Sequence, residues 1–235
     1  MGRSVRAKSA DTYYHVIARC NNNEFLFKGH RDFVAYTSIM RKYKKLFDFK
    51  LFAYSLLNNH MHILLKTGKS ADISEVIQRI NGVFASWYNY AYKRKGHFWQ
   101  DRFKSYPIED DDYFLRCQIY IDLNAVRAGI VEHPRDWPHS SVYSFLKGHM
   151  DNLIAESPIK SILGRNDREY KDAYVRLLNC ELKKTRMLKE ALIKKDKREI
   201  RQILADNCSE PIPFKIQISR LFNMGIGKLL SEVSP

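Results

Sequence analysis

The sequence predicts an α+β fold: a ferredoxin-like or RRM-like antiparallel sheet with helices on one face, followed by a helical C-terminal extension. Three observations lead there. Segments of strand and helix period follow in the order strand, helix, strand, strand, helix, strand, helix over residues 1–150. The two middle strands are separated by a short Asn-rich turn, so they read as a hairpin. From residue 151 to 235 the pattern becomes helical and charged.

Each element follows from its own residues. "TYYHVIAR" (12–19) is aromatic and β-branched, as strands are. "CNNNEFLFKG" is a turn-rich connection. Residues 30–47 carry Phe33, Tyr36, Met40, Tyr43 and Phe47 at helical spacing. "FKLFAYSLL" (49–57) is the second strand, Asn58 and Asn59 make the turn, and "HMHILLK" runs back to Lys66. Over 72–93, Ile73, Val76, Ile77, Ile80, Phe84, Trp87, Tyr88 and Ala91 share one helical face. "FWQDRFKSYPIE" (98–109) is extended, and Pro107 suits a sheet edge. The last helix of the core, 111–131, begins at the acidic turn "EDDD", which complements its dipole, and ends near Gly129. Leu115, Ile119, Leu123, Val126 and Ile130 form one stripe on it, and Tyr113, Arg116, Tyr120, Asn124 and Arg127 another.

Composition narrows the function. There are 40 Lys and Arg against 26 Asp and Glu, a net charge of +14, which points to a polyanionic partner such as nucleic acid. The excess is spread along the chain, since residues 151–235 hold 17 Lys and Arg against 12 Asp and Glu. A membrane is not the expected partner: no apolar run approaches the roughly 18 residues that would span a bilayer, and "MGRSVRAKSADTYY" lacks the apolar core of a signal peptide. Cys20, Cys117, Cys180 and Cys208 are widely spread without a C-x-x-C pair, so they read as reduced cytosolic thiols.

His60 and His62 raise the chemical question. On a strand they point to the same face, about 7 Å apart, where two imidazoles can chelate one divalent ion. With 8 histidines in 235 residues, such spacing arises by chance in roughly one chain in four. Spacing alone therefore leaves two readings: a ligand pair, or two half-buried rings bonded to backbone. The helix adds to the first. Tyr120 and Asn124, four apart, are neighbours on one helical face and can be presented together to the sheet. His15, His30, His97, His133, His139 and His149 have no partner spacing and read as structural or surface residues.

Five segments in order, "YYHVIARCNNNEFLF", "AYSLLNNHMHILL", "FWQDRFKSYPIEDDDYF", "YIDLNAVRAGIV" and "DWPHSSVYSF", resemble the REP-associated tyrosine transposases, within the single-tyrosine HUH group. The resemblance covers residues 12 to about 146 and makes residues 1–150 an HUH single-tyrosine transposase or nuclease domain. The chain departs from the family pattern at Asn58 and Ala125, where Pro is usual, and at Asp122, where His is common. The resemblance implies that Tyr120 is the nucleophile on single-stranded DNA, giving a 5′-phosphotyrosine link and a free 3′-hydroxyl. It implies His60 and His62 as metal ligands, Asn124 as the third, and Mg²⁺ or Mn²⁺ as the cofactor. Imidazoles suit Mn²⁺ better, while abundance favours Mg²⁺.

A single-stranded substrate needs basic and stacking surfaces. Arg102 and Lys104 beside Phe103 and Tyr106, Arg116 and Arg127 flanking Tyr120, and Trp137 as a stacking or core-closing ring are the candidates. The partner expected is single-stranded or hairpin, REP-like DNA, with no membrane, bound by a monomer or weak dimer in the bacterial cytoplasm at the nucleoid. The alternative is a domesticated single-strand-binding protein with little or no cleavage. In the C-terminal region, "PFKIQISRLFNMGIGKLLSEV", with Gly225 and Gly227, resembles part of a helix-turn-helix.

Overall fold

The computed structural model describes residues 10–69, 71–149, 151–194 and 196–206. Strand β1 (Tyr13–Arg19) leads to helix α1 (His30–Phe47), then β2 (Lys50–Leu56), β3 (His60–Lys66), α2 (Ile73–Ala91), β4 (Lys104–Ile108) and α3 (Asp111–Asp122). The sheet order is β2-β3-β1-β4, with each neighbouring pair antiparallel. This is the ferredoxin-like arrangement. β1 and β3 take the centre. β4 is an edge, where Pro107 withdraws no hydrogen bond from an inner ladder.

Period-2 alternation divides the sheet into two faces. Tyr14, Val16 and Ala18 of β1 and Met61, Ile63 and Leu65 of β3 enter one core with Phe33, Tyr36 and Met40 of α1. Val76, Ile77, Ile80, Phe84 and Tyr88 of α2 complete it. The expected placement of helices on one face describes α1 and α2. α3 instead packs against β2 and β3 on the second face, as contacts of Phe114 with Tyr13 and Phe52 show.

Phe84 is the hub of the first core. It stacks on Phe27 at 5.0 Å and meets Tyr36 and Phe98 edge-on at 5.0 and 5.1 Å between ring centroids. Phe84→Ala should cost about 3–5 kcal/mol in urea unfolding, from lost burial and the cavity left behind.

The turn between β2 and β3 anchors the segment after β1. Asn58 donates from Nδ2 to the Phe27 carbonyl at 2.9 Å, and Phe27 N–H returns a bond to the Asn58 carbonyl. A proline at position 58 has no amide with which to make the first of these bonds.

The expected single helix over 111–131 is interrupted. Asp110 caps α3 by accepting from the Tyr113 N–H, and Asp111 and Asp112 occupy its first turn. The helix stops at Leu123, whose φ of −89° and ψ of 3° turn the chain before a second short helix, α4 (Asn124–Arg127), begins. Gly129, at φ 73°, then ends the run, and Ile130 N–H bonds the Ala125 carbonyl as in a Schellman cap. The middle of the anticipated stripe is buried, at Ile119, Leu123 and Val126, and its ends are less so. Phe114 is buried and docks the helix, while Leu115 is half-buried and Ile130 exposed.

The chain divides into two compact units, 1–126 with 130–158 and 127–129 with 159–235. The first extends past residue 150 because Leu153 is fully buried in the α1–α2 core and Lys44 donates to its carbonyl at 2.7 Å. The first unit also holds α5 (Ser141–Lys147), and the second contains α6 (Lys160–Leu163), α7 (Asp167–Lys194) and α8 (Lys197–Asp206). Ala191 of α7 and Ile200 and Ile203 of α8 form a small apolar cluster there. The helix-turn-helix resemblance lies outside the described residues.

Among the described residues no helix is long and apolar enough to cross a membrane. Cys20, Cys117 and Cys180 are not joined in disulfides, and burial pushes the Cys20 thiol up to about 12.

His139 gives this unit a pH dependence. Its ring stacks on Phe33 at 3.7 Å, and burial, with a smaller contribution from neighbouring His30, pushes its pKa down from 6.5 to about 4. The fold therefore favours the neutral ring. Its contribution is complete above the unfolded value and is lost as pH falls from about 6.5 towards 4. Urea midpoints should drop over that window, and His139→Phe should lessen the drop.

Candidate active site

β3 and α3 assemble the site. Because Met61, Ile63 and Leu65 turn into the core, His60 and His62 turn to the face that α3 covers. Their ring centroids are 5.3 Å apart at an interplanar angle of 82°. Phe114 anchors the start of α3 on Tyr13 and Phe52, and Tyr120 follows nearly two turns later. Its ring centroid lies 5.5 Å from that of His62. Thus Tyr120 and both histidines, widely separated in sequence, meet on one surface. His62 is 3% exposed, and His60 and Tyr120 are half-buried.

A third histidine belongs to the cluster. His15 of β1 is 3% exposed, and its Nε2 lies 2.9 Å from His62 Nδ1. Its ring is 6.0 Å from Tyr120 and 6.3 Å from Tyr106. Sequence spacing gave it no partner, because its partner lies on the neighbouring strand. His15 faces Leu64 in the register, so His62 is its diagonal neighbour on the same face. The available signal was its place in "YYHV", the first of the five ordered segments.

The second nitrogen relationship is at His60. Its Nδ1 is 2.6 Å from Asn59 Oδ1, while Asn59 Nδ2 donates to the Asn23 carbonyl. An amide oxygen only accepts, so His60 Nδ1 carries the proton, and in the neutral ring Nε2 then carries the lone pair. Ser55 lies opposite His62 across β2 and β3. It is fully buried, with no hydrogen-bond partner for Oγ.

Asn124 is placed less directly. It is 4% exposed and opens α4, across the break at Leu123 from Tyr120. The tyrosine and the amide therefore stand on two successive helical segments joined at Leu123. Among the described residues, no group of three or more His, Cys, Asp or Glu is placed to hold a metal. Two imidazoles fit a divalent cation as part of a donor set, and an amide oxygen is the additional protein donor that the sequence offers.

The basic candidates separate. Lys104 pairs with Ile17 and Tyr106 with His15 across β1 and β4, so both share the histidine face at the sheet edge. Arg102 is exposed in the bend before β4, and Arg116 is half-buried one turn before Tyr120. Arg127 ends α4 and falls in the second unit. Trp137 is engaged elsewhere: its indole N–H donates to the Leu56 carbonyl at 2.9 Å, and its ring meets Phe33 edge-on at 5.7 Å. Of its two expected roles, this geometry favours closing the core.

The family model described as "Transposase IS200 like" matches residues 8–124. A solved REP-associated tyrosine transposase bound to a REP hairpin is 22% identical, with a TM-score of 0.55, covering 67% of this chain and 93% of that chain. A putative transposase from Deinococcus radiodurans R1 is 17% identical, with a TM-score of 0.37, covering 52% of this chain and 95% of that chain. No curated protein matches the sequence. The span of the family match, from β1 through Asn124, takes in every side chain of the cluster, and the chain belongs to the IS200-like transposase family.

Proposed function

We propose that this chain is a metal-dependent single-stranded DNA endonuclease and strand transferase acting on hairpin-forming DNA through Tyr120. The observation that carries this reading is the position of the Tyr120 ring, 5.5 Å from His62 on the face shared with His60. The Tyr120 oxygen attacks a backbone phosphorus, the bond from phosphorus to the upstream 3′-oxygen breaks, and that strand leaves with a 3′-hydroxyl. One phosphoester replaces another, so no nucleotide cofactor is consumed and a 3′-hydroxyl can reverse the step.

The chain's residues divide the work. α3 holds the phenol against the sheet, limiting the orientations from which it can attack. A phenol is mostly protonated at neutral pH, so its attack requires activation. His60 and His62, with Asn124 as third donor, would hold Mg²⁺ or Mn²⁺, which supplies polarisation of the scissile phosphate. Lys104 and Arg102 at the β4 edge, with Arg116 on α3, are proposed to bind the strand through its phosphates. Tyr106 offers an aromatic surface to a base. The solved relative bound to a REP hairpin supports a hairpin as the substrate class.

The test is incubation of end-labelled hairpin DNA with the protein and Mn²⁺ or Mg²⁺, resolved by denaturing electrophoresis. Cleavage at a fixed position, abolished by chelator, is expected. Binding without cleavage under either metal contradicts the enzyme reading. Binding should also be salt-dependent, because neutralising phosphates releases counterions. Affinity should fall by at least roughly tenfold from about 50 to about 200 mM salt, measured by fluorescence anisotropy. Unchanged affinity would contradict the electrostatic contribution.

A further inference from the structure

The bond between His15 and His62 has two tautomeric arrangements with opposite consequences. In one, His62 Nδ1–H donates to His15 Nε2, and His62 Nε2 carries a lone pair. In the other, His15 Nε2–H donates to His62 Nδ1, and the His62 proton sits on Nε2. Only the first can give His62 Nε2 to a cation, because a metal ligand needs a deprotonated ring nitrogen. The two nitrogens are 2.9 Å apart and both rings are almost wholly buried.

We propose that His15 is a positioning residue that holds His62 in the Nδ1–H tautomer and in the ring orientation that presents Nε2 to the divalent cation. This rests on the proposed metal role of His62. Asn59 does the same for His60, since its Oδ1 accepts from His60 Nδ1 at 2.6 Å. Both rings are thus gripped through Nδ1, one by an amide on the hairpin turn and the other by an imidazole on the neighbouring central strand. His15 is not itself placed as a third ligand, because its Nε2 is committed to His62. The two rings lie edge to edge and nearly parallel, with centroids 5.2 Å apart at 25°, the arrangement an in-plane bond between ring nitrogens requires, so this bond sets the plane of the His62 ring. Outer partners of ligating histidines are most often carboxylates or carbonyls. An imidazole in that role accepts only when its own proton is on Nδ1, so the tautomers of His15 and His62 are linked.

Two readouts test this, one of them without metal. The first is the ¹⁵N ring spectrum of His62 in the metal-free protein. The second is Mn²⁺ affinity, from the electron paramagnetic resonance signal of free Mn²⁺, for wild type, His15→Phe and His15→Gln. Phe keeps a buried ring but removes the acceptor; Gln restores an acceptor.

The expected results are a wild-type His62 protonated at Nδ1, mixed tautomers in His15→Phe, and Mn²⁺ affinity about 10–100-fold weaker in that variant. His15→Gln should recover most of the affinity. A wild-type His62 protonated at Nε2, or His15→Phe binding Mn²⁺ as wild type does, overturns the positioning role and leaves the metal reading standing. Absence of Mn²⁺ binding by wild type overturns the metal reading, and the positioning role with it.

Discussion

Tyr120→Phe should abolish DNA cleavage while leaving DNA and Mn²⁺ binding intact. The substitution removes one oxygen and keeps the ring beside His62 and His15, so folding stability should change by less than about 1.5 kcal/mol. The phenol is not a proposed ligand, and the phosphate contacts come from other side chains. What is lost is the attacking atom. Residual cutting at the wild-type position would make water or another residue the nucleophile. Tyr113 is the natural control: it lies on α3 two turns before Tyr120, and Tyr113→Phe should cut normally.

His60→Ala and His62→Ala should both lose metal-dependent cleavage yet differ in stability. His60 is half-buried at the start of β3, with its Nδ1–H accepted by Asn59 on the adjoining turn, so its loss should cost under about 1 kcal/mol. His62 is buried, and removing it takes a hydrogen-bond partner from His15 inside the sheet face. That variant should lose about 1–3 kcal/mol in urea unfolding as well as Mn²⁺ affinity. Equal cleavage by the double variant in the presence of chelator would remove the metal role from both residues.

The parts of the fold legible in the sequence were those set by local period. The alternation in "HMHILLK" placed both histidines on one face, and the stripe from Ile73 to Tyr88 gave α2 its buried side. The acidic residues before Tyr113 marked the start of α3 because a helix N-terminus needs acceptors. What local period does not carry is the register between strands. That register is what makes His15 a partner of His62, so its spacing along the chain gave no sign of it. Tyr120 could be assigned a role from its segment, but its distance to His62 depends on how Phe114 seats α3 across β2 and β3.

The break at Leu123 was hidden for a related reason. Leucine favours helix, and nothing in "YIDLNAVRAG" breaks the apolar period before Gly129. The interruption appears only in the backbone, and it places Tyr120 on α3 and Asn124 at the start of α4. Trp137 illustrates the limit of composition. A tryptophan beside prolines and serines fits a base-stacking surface equally well, but its N–H reaches the Leu56 carbonyl and its ring closes on Phe33.

Which atom joins which end of the cut strand tests the role of Tyr120 most directly. Hairpin DNA labelled at either its 5′ or 3′ end should be incubated with protein and Mn²⁺, denatured and digested with trypsin, and the DNA-bearing peptide sequenced by mass spectrometry. The 3′ label should stay with the protein, the 5′ label should be released on a fragment ending in a 3′-hydroxyl, and the modified residue should be Tyr120. Cut strands without a protein adduct, or an adduct mapped to any other residue, would contradict that role.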